Sequence, residues 1–116
     1  MRYTFPEGAR LNRSEEFRTV YRHGGRLKVF PLRIYYLKRP QAHTSRLGLA
    51  VGKKTGPAAV RNRWKRLVRE AFRARRHLLS PPCDIIVSVS WGAGKEHMGG
   101  VEEAFMKAIS ILNGID

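Results

Sequence analysis

The stretch Gly48-Leu-Ala-Val-Gly-Lys-Lys-Thr-Gly-Pro-Ala-Ala-Val-Arg-Asn-Arg-Trp-Lys-Arg-Leu-Val-Arg-Glu-Ala-Phe72 passes from strand to loop to helix. Leu47, Leu49 and Val51 alternate with other residues at the period-2 spacing of a half-buried strand. Gly52-Lys-Lys-Thr-Gly-Pro57 is a basic, glycine-bearing loop that leads into a long helix from about Ala58 to Leu79. Ser80-Pro81-Pro82 stops that helix, because proline lacks the amide donor and disfavours helical backbone before it. Asp84 to Trp91, DIIVSVSW, follows as a strand whose apolar character on both faces predicts a central position.

Upstream, residues 1–13 form a basic, irregular lead-in, and Ser14 reads as the N-cap of a short helix with Glu15 and Glu16 in its first turn. Phe17, Val20 and Tyr21 follow at helical spacing, and His23-Gly24-Gly25 ends the segment. From Arg26 to Lys38 the chain is extended, with Pro31 marking an edge or a break and a further short strand expected around Leu27–Phe30. Leu32, Ile34 and Tyr36 fall on one face; Arg33, Tyr35 and Leu37 fall on the other. The polar turn Pro40–Ser45 predicts a hairpin between this strand and the one at Leu47–Val51. Downstream, a glycine-rich loop from Gly92 to Gly100 precedes a last amphipathic helix with Val101, Phe105, Ala108, Ile109 and Leu112 as its buried stripe. The order α-β-β-(β)-α-β-α predicts an α+β fold, a two-layer α/β sandwich over a small mixed sheet, with residues 1–116 as a single domain.

The charge is the first functional signal. Lys plus Arg number 23 against 9 for Asp plus Glu, a formal net charge of +14. A domain this basic repels itself unless a polyanion neutralises it, which points to nucleic acid. Half of that excess sits in one helix. Arg61, Arg63, Lys65, Arg66, Arg69, Arg73, Arg75 and Arg76 face a single acid, Glu70, within residues 61–76. At about 100° per residue, Arg61, Lys65, Arg69, Arg73 and Arg76 share an arc with Asn62 and Arg66 at its edge. Trp64, Leu67, Val68, Ala71, Ala74 and Leu78 take the opposite side, Phe72 lies at the boundary, and Arg63 and Arg75 reach out from the apolar side. A merely solvated face mixes signs to gain i,i+4 pairs. This one is nearly all cationic, and its charges repeat about every 6 Å, a spacing that suits phosphates. Asn62 offers both a donor and an acceptor, to the loop–helix junction or to a 2′-hydroxyl or base edge.

The quoted stretch resembles the signature region of the bacterial ribonuclease P protein component, with Arg61-Asn62-Arg63 and the following Lys65, Arg66 and Arg69 matching its arginine-asparagine-arginine motif. Arg10-Leu11, Phe17, Tyr21, His23-Gly24 and Tyr35 extend the likeness upstream, and DIIVSVSW and the last helix extend it more loosely downstream. Trp64 departs from it, standing where an aliphatic residue is common, and so does the lack of a basic C-terminal tail. The resemblance implies a left-handed βαβ crossover in a fold like the second domain of ribosomal protein S5. It implies a subunit that binds a catalytic RNA and helps it remove the 5′ leader of precursor tRNA. Mg²⁺ is then required by the RNA, and the protein alone binds no cofactor. Carried over by position, Lys53, Lys54, Arg61, Asn62, Arg63, Lys65, Arg66, Arg69 and Arg73 face the catalytic RNA. Phe17, Tyr21 and Tyr35, with Arg18 and Arg33 beside them, face the single-stranded leader. For Phe17 and Tyr21 the plainer alternative is the buried stripe of a short helix.

Other signals point away from a protein catalyst. Gly92-Ala-Gly-Lys95 lacks the earlier glycine and the Ser or Thr of a phosphate loop. His23, His43, His77 and His97 are scattered, without zinc spacing. Asp84 and Asp116 are far apart, and Glu70, Glu96, Glu102 and Glu103 read as solvated, so no carboxylate cluster for a nuclease metal is expected. Cys83, the lone cysteine, reads as core. The chain has no apolar leader or span, which predicts a cytoplasmic protein with no membrane partner and no small-molecule substrate. A ribosomal-type structural RNA-binding protein is the alternative, sharing the charge and fold class without needing an aromatic cleft.

Overall fold

The computed structural model describes residues 10, 11 and 13–115; most of the lead-in, and Asp116, lie outside the described residues. Helix α1 spans Ser14–His23, followed by β1 (Gly25–Val29), β2 (Leu32–Lys38) and β3 (Arg46–Leu49). Helix α2 spans Ala58–Arg75, β4 Cys83–Val89 and α3 Val101–Asn113. The strand expected before Pro31 is therefore present as β1. Arg13 rather than Ser14 is the N-cap of α1, and its N–H donates to the Glu16 carboxylate at 3.2 Å.

The sheet order is β1-β2-β4-β3, which corrects the expected pairing of β2 with β3. The hairpin is instead β1–β2, closed by a tight turn at Phe30-Pro31 with Val29 opposite Leu32. Pro31 has no amide to give a ladder, and a turn is where that loss costs least. Strand β4 inserts between β2 and β3, antiparallel to the first with Ile34 opposite Val87, and parallel to the second with Leu49 opposite Val87. The reason lies in β4 itself, whose residues 83–87 are all buried. Only a central strand covers both faces and both edges at once. The parallel β3–β4 pair needs a crossover, and α2 supplies it.

Leu32, Ile34, Leu47, Ile85 and Val87 turn to one side of the sheet, where α2 and α3 bury Trp64, Val68, Phe72, Phe105 and Leu112 against them. On the other side, Ile86 packs with Val20 of α1 and with Leu11, flanked by Phe17, Tyr35 and Leu37. In α2 the buried residues are Trp64, Val68, Ala71 and Phe72, while Ala74 and Leu78 are exposed. At about 100° per residue this turns the core-facing side by about 50° from the sequence reading. Phe72 causes the turn, since its ring meets Phe105 of α3 edge-on with centroids 6.1 Å apart. Trp64, the departure from the family pattern, is wholly buried in this core.

One polar cluster sits at the end of the sheet where β2, β3 and β4 meet. Asp84 is 3% exposed. Arg46 donates to it from Nε at 2.8 Å and Nη2 at 2.7 Å, and Arg39 from Nη1 at 3.1 Å. The hydrogen bond to Asp84 holds the Arg46 guanidinium more firmly protonated than usual. Arg46 then reaches Glu16 of α1, Nη1 to Oε2, at 2.6 Å. Next to Asp84, Cys83 is buried as expected, and desolvation pushes its thiol from the ordinary 9 to about 11. Folding thus favours the protonated thiol. Its contribution is complete below pH 9 and is lost as pH rises from 9 towards 11. Urea unfolding at pH 8 and pH 10.5 should show a larger fall in midpoint for the wild type than for Cys83→Ala.

Candidate nucleic-acid interface

On α1, Val20 takes the buried position against Ile86, which leaves Phe17 half-buried and Tyr21 46% exposed. The plain stripe reading of this helix is therefore inadequate. Tyr35 alternates out of β2 on the same side of the sheet, and the three rings gather. Tyr21 meets Tyr35 edge-on at 4.9 Å, and Phe17 lies 6.5 Å from Tyr21 at 54°. Burial, then the neighbouring Tyr35, raise the Tyr21 hydroxyl above its ordinary pKa, and Arg33 partly opposes them. Arg33 Nη2 donates to the Tyr35 hydroxyl at 3.1 Å. Arg18 stands exposed beside Phe17 and Tyr21 on the outer side of α1. The Phe17 ring lies over Gly48 of β3, where a Cβ would fall 2.6 Å from its Cζ. A side chain there would push the ring out, so the glycine keeps the cleft floor low.

The motif helix runs along the other wall. Asn62, Arg63, Arg66 and Arg69 are exposed, and Arg61, Lys65 and Arg73 are half-buried. Arg63 therefore stands in solvent rather than reaching out from the apolar side. Arg75 does snorkel, its Nη1 3.6 Å from Glu102 and its Nε 2.9 Å from the Met106 sulfur. Arg61, not Asn62, fastens the loop to the helix, its Nε donating to the Gly56 carbonyl at 3.2 Å. Gly56 has φ +144°, in the range that favours glycine, so this loop closes only with glycine there.

Two depressions join the walls. One, of about 450 Å³, is lined by Arg10, Leu11, Phe17, Leu47, Leu49, Lys65 and Arg69. Its described walls hold three cations and no acid. Lys65 and Arg69 thus border the aromatic cluster as well as the basic ridge. The second, of about 510 Å³, lies between the Lys53–Thr55 turn and the end of β4, with Arg33, Lys53, Lys54, Ser88 and Trp91 in its walls. Lys53 and Lys54 therefore line this depression, with Lys54 beside Trp91.

Sequence reasoning missed Trp91. It closes the strand expected from the sequence, but the strand ends at Val89 and the chain turns at Gly92, φ +83°. Its indole is 81% exposed, with Lys54 Nζ 4.7 Å from the ring centre. The glycine after it was the available signal. An array of exposed and half-buried rings edged by guanidinium and ammonium groups can stack unpaired bases and neutralise their phosphates. Among the described residues no cluster of three His, Cys, Asp or Glu is placed to hold a metal ion.

A family model described as Ribonuclease P matches residues 5–113. A ribonuclease P protein component from Bacillus velezensis is 39% identical over 79 residues, covering 68% of this chain and 68% of that protein. One from Geobacillus kaustophilus is 30% identical over 106 residues, covering 91% of this chain and 88% of its own. Among solved structures, the RNase P protein of Staphylococcus aureus overlays with a TM-score of 0.78 at 25% identity, covering 89% of this chain and 94% of that one.

Proposed function

The chain belongs to the ribonuclease P protein family, and from that membership we propose that it binds a catalytic RNA and the 5′ leader of precursor tRNA. In this reading the RNA performs the Mg²⁺-dependent cut that frees the mature 5′ end, and the protein holds the substrate. The observation that carries it is the shared border of two surfaces, in which Lys65 and Arg69 of the motif helix line the same depression as Phe17. The exposed side of α2, with Arg61, Asn62, Arg63, Arg66 and Arg73, meets the catalytic RNA. Phe17, Tyr21 and Tyr35, edged by Arg18 and Arg33, receive the leader, and Lys53, Lys54 and Trp91 continue that cleft. The whole chain acts as one RNA-binding domain in the cytoplasm, needing no membrane and no small-molecule substrate. No helix among the described residues is long and apolar enough to cross a membrane.

The test is cleavage of end-labelled precursor tRNA by a bacterial ribonuclease P RNA at low Mg²⁺, with and without the protein. Stimulation at the mature 5′ end, absent with protein alone, supports the reading. No stimulation by folded protein with its cognate RNA overturns it in favour of a ribosomal-type RNA binder. The two surfaces separate by mutation. Arg61→Ala and Arg66→Ala should weaken assembly with the catalytic RNA and spare leader discrimination. Phe17→Ala and Tyr35→Ala should spare assembly and weaken binding of leader-bearing precursor by about 1–3 kcal/mol, the contribution of a stacked base. Filter binding with catalytic RNA, and with precursor against mature tRNA, reads both.

A further inference from the structure

We infer that Arg46 and Glu16 are positioning residues for the leader cleft, setting how α1 stands over the sheet; this rests on the leader-binding reading above. Asp84 is fixed at the start of the central strand and accepts two hydrogen bonds from Arg46. Arg46 has a third donor left, Nη1, and spends it on Glu16 of α1. Glu16 is the residue before Phe17, four before Val20 and five before Tyr21. Rigid sheet, guanidinium fork and helix are thus joined through one planar group. A planar fork suits such a three-way junction, and an ammonium on a flexible stem does not.

The junction directs α1 where apolar packing leaves it loosely held. Val20 is the only residue described as buried within α1, with Phe17 partly buried beside it, so a small apolar patch and this ion pair set its stance. Tyr21 contributes a largely exposed ring, and its edge-on contact with Tyr35 depends on where α1 lies. Both partners of the Arg46–Glu16 pair are 23% exposed, sheltered more than an open surface pair and so screened less by salt.

Glu16→Gln is the sharp test. Glutamine keeps an oxygen to accept the Arg13 N–H and keeps the shape of the side chain, but its amide nitrogen replaces the oxygen that accepts from Arg46, so the charge and that hydrogen bond are lost together. In the reconstituted holoenzyme, KM for precursor tRNA with a leader of several nucleotides should rise about 5-fold, the low end of what one stacked base contributes. The turnover number, KM for precursor with a one-nucleotide leader, and affinity for the catalytic RNA should all stay as in the wild type. Arg46→Lys should show the same leader-specific rise rather than rescue. An unchanged KM on the long leader, or a parallel loss on both leaders, overturns the inference. Phe17→Ala run alongside separates the failures. If it too leaves leader binding intact, the leader-cleft reading is what fails; if it weakens leader binding while Glu16→Gln does not, only the positioning role fails.

Discussion

Affinity for the catalytic RNA is expected to fall by about 10³- to 10⁵-fold as monovalent salt rises from about 50 to about 200 mM, the range for proteins that neutralise six to ten phosphates. Arg61, Arg63, Lys65, Arg66, Arg69 and Arg73 provide six cations along one helix. Each phosphate they neutralise releases condensed counterions, and that release weakens as bulk salt rises. Titrations at several salt concentrations should give a steep linear plot of log affinity against log salt. Arg66→Ala should reduce its slope by about one. A shallow slope in the wild type would mean that the ridge does not meet phosphate.

The second large effect is on stability. Asp84→Ala is expected to destabilise the protein by about 3–5 kcal/mol, the usual result of removing one partner of a buried ion pair. The carboxylate is 3% exposed and takes donors from both Arg46 and Arg39. Its loss leaves Arg46, whose side chain is 23% exposed, with Glu16 as its remaining carboxylate partner beside an empty pocket, and unties β3 from β4 at this cluster. Against a typical net stability of about 5–15 kcal/mol, the variant becomes marginal. Urea unfolding followed by circular dichroism measures the change. Asp84→Asn should fall between the two, since the amide oxygen keeps one acceptor and loses the charge. A shift under about 1 kcal/mol for Asp84→Ala would show that the cluster contributes little.

The elements were legible in the sequence because their signals are local. The acidic first turn of α1, the Pro81-Pro82 stop and the apolar run of β4 each act within a few residues of themselves. Strand pairing is not local. Nothing between Lys38 and Arg46 reveals that β4, arriving after a whole helix, will take the place between β2 and β3. The buried run of β4 predicted a central strand, and that prediction was stronger than the turn-like residues that suggested a neighbouring hairpin. The orientation of α2 was misjudged for the same reason. Phe72 joins the core because Phe105 is there to meet it, and Phe105 belongs to another helix.

At the candidate site the residue identities carried further than their placement. The gathering of Phe17, Tyr21 and Tyr35 follows from spacing on α1 and alternation on β2, together with the resemblance. The positions of Lys53 and Lys54 depend on a turn whose direction is set by Gly56, and composition does not give it. Asp84, set aside as an unlikely metal ligand, holds two arginines and through one of them a helix.

The two tryptophans differ as much in surroundings as two indoles can, Trp64 at 0% and Trp91 at 81% exposure. The molecule therefore carries its own optical contrast. A chromophore sealed in hydrocarbon emits at shorter wavelength than one in water, and a dissolved ionic quencher reaches only the second. Blue-side emission reports whether the motif helix is seated on its sheet. Red-side emission reports what touches the far end of the cleft. Seating of the helix on the sheet and contact at the exposed indole can thus be followed in a single unlabelled sample, each by its own colour.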